Sequence, residues 1–172
     1  MSLPETLHAA ALAAMATAVA VHPGLRDRAC RPDLLASIVM LTAMADAMWL
    51  RLVPAVYAMA LLLAAAMASA AARSALVSRG ALPRLGACES SHGPLGFVTT
   101  AVCLPAMHGV GATAASAHHG LGVGAFTALV VLVCAGYGVA SVVAAARAAG
   151  RAERGQYALM GTGAVLMALA AL

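Results

Sequence analysis

Two ionisable residues sit where charge is expensive. Asp46 lies within the apolar stretch 34–50 and His108 within the stretch 94–117. An ionised carboxylate at bilayer depth costs roughly 2.5–3.5 kcal/mol unless it is paired, neutralised or wetted. Asp46 follows Leu34 by 12 residues and His108 follows Pro94 by 14. On helices that enter from one face, both side chains therefore reach about 18–21 Å. That shared depth makes them a candidate intramembrane polar pair; the alternative is that each meets interfacial water or a backbone carbonyl. Pro105, three residues before His108, removes a backbone donor and should bend the same stretch.

Sulfur supplies the second grouping. Met40, Met44 and Met48 recur every fourth residue and so line one stripe of a helix, and Cys103 with Met107 repeats that spacing elsewhere. Thioether and thiolate sulfur prefer Cu(I), and a ladder of such donors is what a path for that ion requires. Methionine is also an adaptable core residue, and no Met-x-x-Met or Cys-x-x-Cys pair sharpens the metal reading. The stripe is thus either core packing or a metal path. Copper is the one ion it would suit, and no resident cofactor is otherwise expected.

A third set lies between the apolar stretches. His22, Cys30, Cys88 and His92 have the composition of a Cys2His2 zinc site, the last two spaced Cys-x3-His. Two of the four stand eight residues apart in a loop that need not meet the other loop, so scattered loop residues are the competing reading. His118 and His119, with His8, offer an outer metal or proton site or simply an interfacial turn. There is no Gly-x-Ser-x-Gly, no phosphate-binding glycine loop and no His-Glu-x-x-His. A non-enzymatic protein is the expectation.

The elements that must position these residues follow from the arginines. Nine of the ten fall in three clusters: Arg26, Arg28 and Arg31; Arg73, Arg79 and Arg84; Arg147, Arg151 and Arg154. Arg51 stands apart, and lysine is absent. By the positive-inside rule the three clustered loops face the cytoplasm, while both termini, the Arg51 turn and the His118-His119 turn face the other side. With 63% hydrophobic and 9% charged residues, a soluble domain of this length is excluded. The net charge of +4 reads as topology and contact with anionic lipid, with no nucleic acid as partner.

Stop signals divide the chain into an all-α, polytopic bundle of six spans, at 3–21, 34–50, 54–72, 94–117, 121–146 and 156–172. A cytoplasmic loop at 80–93 separates two halves of three helices. Ser2 and Glu5 have capping-box spacing at the start of the first span, and Glu5 stands where a signal peptide would be basic. Asp33 is the predicted N-cap of the second span, and Pro54 marks the start of the third. Trp49 and Tyr57 flank the Arg51 turn, and Tyr157 opens the last span, at depths that suit amphipathic rings. Gly120-x3-Gly124 and the pairs Gly109/Gly111, Gly136/Gly138 and Gly161/Gly163 read as close helix contacts. Cys103 and Cys134 are predicted to be buried, and disulfides are not expected.

Met40-x3-Met44-x3-Met48-Trp49 and the closing Tyr157-Ala-Leu-Met160-Gly-Thr-Gly163, followed by Met167, resemble a small actinobacterial family of multi-span membrane proteins of unknown function. The resemblance covers the whole order of spans. It implies methionine-rich second and last helices preceded by histidines, whereas Ser37 and Tyr157 occupy those places here. The expected role is an accessory or packing subunit of an assembly in the plasma membrane. It would be held by lipid and by a membrane-protein partner or further copies of itself. The alternative is a small carrier for Cu(I) or protons.

Overall fold

The computed structural model describes residues 2–22, 25, 31–78, 92–107 and 123–172. Among them are six helices and no strand: α1 (Leu3–Ala20), α2 (Arg31–Ala45), α3 (Ala55–Ser78), α4 (His92–Met107), α5 (Val123–Arg147) and α6 (Arg151–Ala170). A π-helical turn, Asp46–Leu50, continues α2. The described residues are all-α, as the sequence predicts. Leu3–Ala20, of 18 residues, and Gly124–Arg147, of 24, are each long and apolar enough to cross a membrane. Leu34–Leu50, Ala55–Ala71 and Pro94–Met107 are apolar but shorter.

Local chemistry explains where the helices begin. Ser2 caps α1: the Glu5 carboxylate accepts from the Ser2 backbone N–H at 2.7 Å, and Ser2 Oγ accepts from the Glu5 N–H at 3.4 Å. Two donors that the first turn would leave orphaned are satisfied reciprocally. Helix α2 starts at Arg31, so Asp33 lies inside the first turn and does not precede it. Pro54 caps α3 through its carbonyl, which accepts from Tyr57 and Ala58 at 3.0 and 3.1 Å. Helix α6 begins at Arg151, five residues before the predicted 156, because Gly150 adopts an extended backbone and its carbonyl accepts from the Arg154 N–H at 3.0 Å. Helix α4 runs through Pro105 to Met107, so the expected interruption does not end it within the described residues.

Helix α6 packs chiefly on α5 and α1, while α4 touches α2, α3 and α5. Glycines set the closest approaches. A β-carbon on Gly161 would lie 3.0 Å from Ser141 Cβ on α5, and one on Gly163 would lie 3.2 Å from Met15 Cγ on α1. Neighbouring glycines on α6 therefore serve opposite partners. Gly138 makes only ordinary contact with Val165, and Gly124 and Gly136 face open space. The remaining glycines of the predicted pairs, at 109, 111 and 120, lie outside the described residues.

Inside and outside are not divided by polarity as in a soluble bundle: the core is apolar, and so is much of the exterior. Ser37, Thr99, Thr100, Ser141 and Gln156 are buried, whereas Leu35, Val39, Val56, Leu61, Leu132, Val142 and Leu169 point outward. Helices apolar on every side belong in a large core or a bilayer. Exposed hydroxyls are satisfied within their own helices: Thr17, Thr42 and Thr162 each donate to the carbonyl four residues back at 2.8 Å. Back-bonding of this kind removes the donor that hydrocarbon could not serve.

Candidate functional site: a sulfur-lined interior

The i, i+4 spacing of the methionines does what it predicts. Met40 and Met44 are fully buried, Met48 partly so, and Cys103 and Met107 on α4 are buried as well. Helices α2 and α4 are in contact, so the two stripes belong to one core. Gly96 makes room for Met40. A β-carbon there would stand 2.8 Å from Met40 Sδ and 3.4 Å from Tyr137 Oη. The Tyr137 hydroxyl in turn donates to Met160 Sδ on α6 at 3.8 Å, and Gln156 Nε2 donates to the same sulfur at 3.9 Å. Sulfur is a weak acceptor, so these long contacts chiefly position Tyr137 between two thioethers. Within this part of the core, Met40 and Met160 have packing partners that account for their burial.

Outside the methionine stripe, two thiols come together. Cys103 Sγ on α4 and Cys134 Sγ on α5 are 3.4 Å apart. Both are free thiols, 2% and 0% exposed. The sequence predicts their burial but not their meeting, although it holds a signal for it. Cys103 lies fifteen residues before His118 and Cys134 fifteen after His119, an equal spacing about the sequence-predicted turn. Thr100, one helical turn before Cys103, buries a hydroxyl that has no hydrogen-bond partner among the described residues. Met107 continues the same face one turn beyond.

Asp46 finds its partners in the turn that follows it. Its backbone carbonyl accepts from the Arg51 N–H at 2.6 Å, the i→i+5 bond of the π turn. Its carboxylate accepts from the Leu52 N–H through Oδ1 and from the Val53 N–H through Oδ2, both at 3.1 Å. Three consecutive donors thus converge on one residue, and Arg51 takes a left-handed backbone (φ 50°, ψ 36°) to present them. A carboxylate accepting backbone N–H groups forms charge-assisted bonds, roughly twice as strong as neutral ones. This gives Asp46 a structural reason to be where it is. His108 lies outside the described residues, so the predicted pair is not seen as such.

The other predicted groups are dispersed. His22 is buried at the end of α1, and burial pushes its pKa down by disfavouring the charged imidazolium. His92 is the first residue of α4. Cys30, Cys88, His118 and His119 lie outside the described residues, and His8 is half-buried on α1. Among the described residues no three of His, Cys, Asp and Glu gather into a metal-holding group. Trp49 and Tyr57 are 64% and 67% exposed on either side of the Arg51 turn, whereas Tyr157 is buried. Tyr157 turns inward on α6 and donates to Glu153 Oε1 at 3.2 Å.

No family model, no curated protein and no solved structure matches this chain.

Proposed function

We propose that this chain is an integral protein of the plasma membrane, crossing the bilayer six times and serving as a non-enzymatic accessory subunit of a larger membrane assembly. The apolar exterior supports this reading most directly. Leucine and valine cover the outside of α2, α3, α5 and α6, while serine, threonine, cysteine and glutamine lie within. Two helices satisfy the length requirement unaided, and the arginine clusters supply the orientation of the rest. An accessory role fits a chain whose helices carry apolar outward faces and few free polar groups, because such faces pack equally well against lipid and against other helices.

The test is extraction from the native membrane in mild detergent, followed by identification of co-migrating proteins. A stoichiometric membrane partner, or a defined homo-oligomer, is expected; a lone monomer in every detergent would refute the accessory role. The competing carrier reading, for Cu(I) or protons, predicts flux into proteoliposomes that Asp46→Asn or Met44→Ala abolishes while folding persists. An accessory subunit gives no such flux.

A further inference from the structure

We propose that Cys103 and Cys134 form a binding site for a single thiophilic d10 cation, Cu(I) or its surrogate Ag(I), between α4 and α5. The thiols are held by two different helices, so their 3.4 Å approach is a tertiary arrangement that chain connectivity alone does not impose. Metal–thiolate bonds near 2.3 Å place two sulfurs on one ion about 3.8 Å apart for tetrahedral geometry and about 4.6 Å for linear. An opening of about 0.4 Å between α4 and α5 therefore admits a bent two-sulfur complex. Soft sulfur donors favour Cu(I) over harder divalent ions.

Charge balance specifies how the ion is held. In a dry interior a net charge is expensive, so the bound state should be neutral. One thiol loses its proton and becomes the thiolate, while the other stays protonated and ligates through a lone pair. Cu(I), Cys103 and Cys134 thus combine into a neutral complex with release of one proton and no change of oxidation state. Thr100, one turn before Cys103, buries a hydroxyl that has no partner among the described residues and so adds a polar group to the same stretch of α4. Met107, one turn beyond Cys103 and buried, is the nearest thioether along the same face of α4. The site is independent of the accessory role: a chain without a membrane partner would keep it.

The full chain, purified anaerobically in detergent with reductant, should be titrated with Cu(I) against a chromogenic Cu(I) chelator. About one Cu(I) per chain is expected, with sulfur-only ligation in X-ray absorption and an affinity that rises about tenfold per pH unit below the thiol pKa. Cys103→Ala and Cys134→Ala should each weaken binding by about 100-fold or more, with helix content by circular dichroism unchanged. Should either variant aggregate, Ag(I) protection of the wild-type thiols from maleimide alkylation, read by mass spectrometry, replaces it. Wild-type protein that competes no better than the Cys103→Ala/Cys134→Ala double variant overturns the site. So does a pair that alkylates equally fast with and without Ag(I), or affinity indifferent to pH.

Discussion

Asp46 shows how a residue that looks functional in sequence can have structural work of its own. An acid within an apolar stretch invites a distant partner, yet both carboxylate oxygens are taken by the Leu52 and Val53 N–H groups a few residues away. Asparagine keeps one acceptor and loses the charge, so Asp46→Asn should lower stability by about 1–2 kcal/mol. Thermal unfolding in detergent would show it as a fall in Tm, and an unchanged Tm would mean the turn holds without the carboxylate. His22 carries the pH dependence outside the spans. Burial lowers its folded pKa, so the unfolded chain binds the proton more readily and stability falls as pH drops below the ordinary histidine value of about 6.5. Stability should be flat above that pH, and His22→Gln should flatten the acid limb between pH 6.5 and 5. The thiol pair was half legible: apolar surroundings signalled burial, and only the packing of α4 on α5 shows that the two sulfurs meet.

Helix ends and helix contacts divide the same way. The capping box at Ser2 is local, involving residues three apart, and the structure contains it as spaced. The ends of α2 are not local in that sense. It starts at Arg31 in place of the residue after Asp33, and its π turn ends where three backbone donors converge on Asp46. Arg51 pays for that turn with a left-handed backbone, a conformation costing a non-glycine residue about 1 kcal/mol or more. Arg51→Gly should therefore raise the unfolding free energy by up to about 1 kcal/mol, read from denaturant midpoints in mixed micelles. The glycines permit a sharper comparison. Gly161→Ala forces its β-carbon against Ser141 and should cost about 1–2 kcal/mol, whereas Gly136→Ala meets nothing within 4 Å and should be neutral or mildly stabilising. Equal effects at the two positions would show that close approach of α5 and α6 contributes nothing. Sequence spacing marked all these glycines alike, because it reports small residues without saying which face meets a neighbour.

At the scale of the whole molecule, the proposed six-span arrangement assigns each turn to one side of a bilayer. Single cysteines introduced near Arg51 and near Gly150, in a background lacking the native four, should label oppositely with an impermeant maleimide. The first should react from outside the cell and the second only after permeabilisation. Labelling of both from one side would break the six-span topology while leaving the all-α fold intact. What the sequence by itself determined was helical class, the positions of most helices and the burial of Cys103 and Cys134. Each of these follows from composition or from a period of 3.6 residues, which neighbouring residues express without help. Only the tertiary structure decided which helices touch, that Gly161 and Gly163 serve different partners, that Asp46 is satisfied by its own turn and that Cys103 meets Cys134. The physical reason is that these helices are apolar on every side. With no polar face to orient them, hydropathy leaves their rotation free, and shape complementarity between small and large side chains selects the facing pairs.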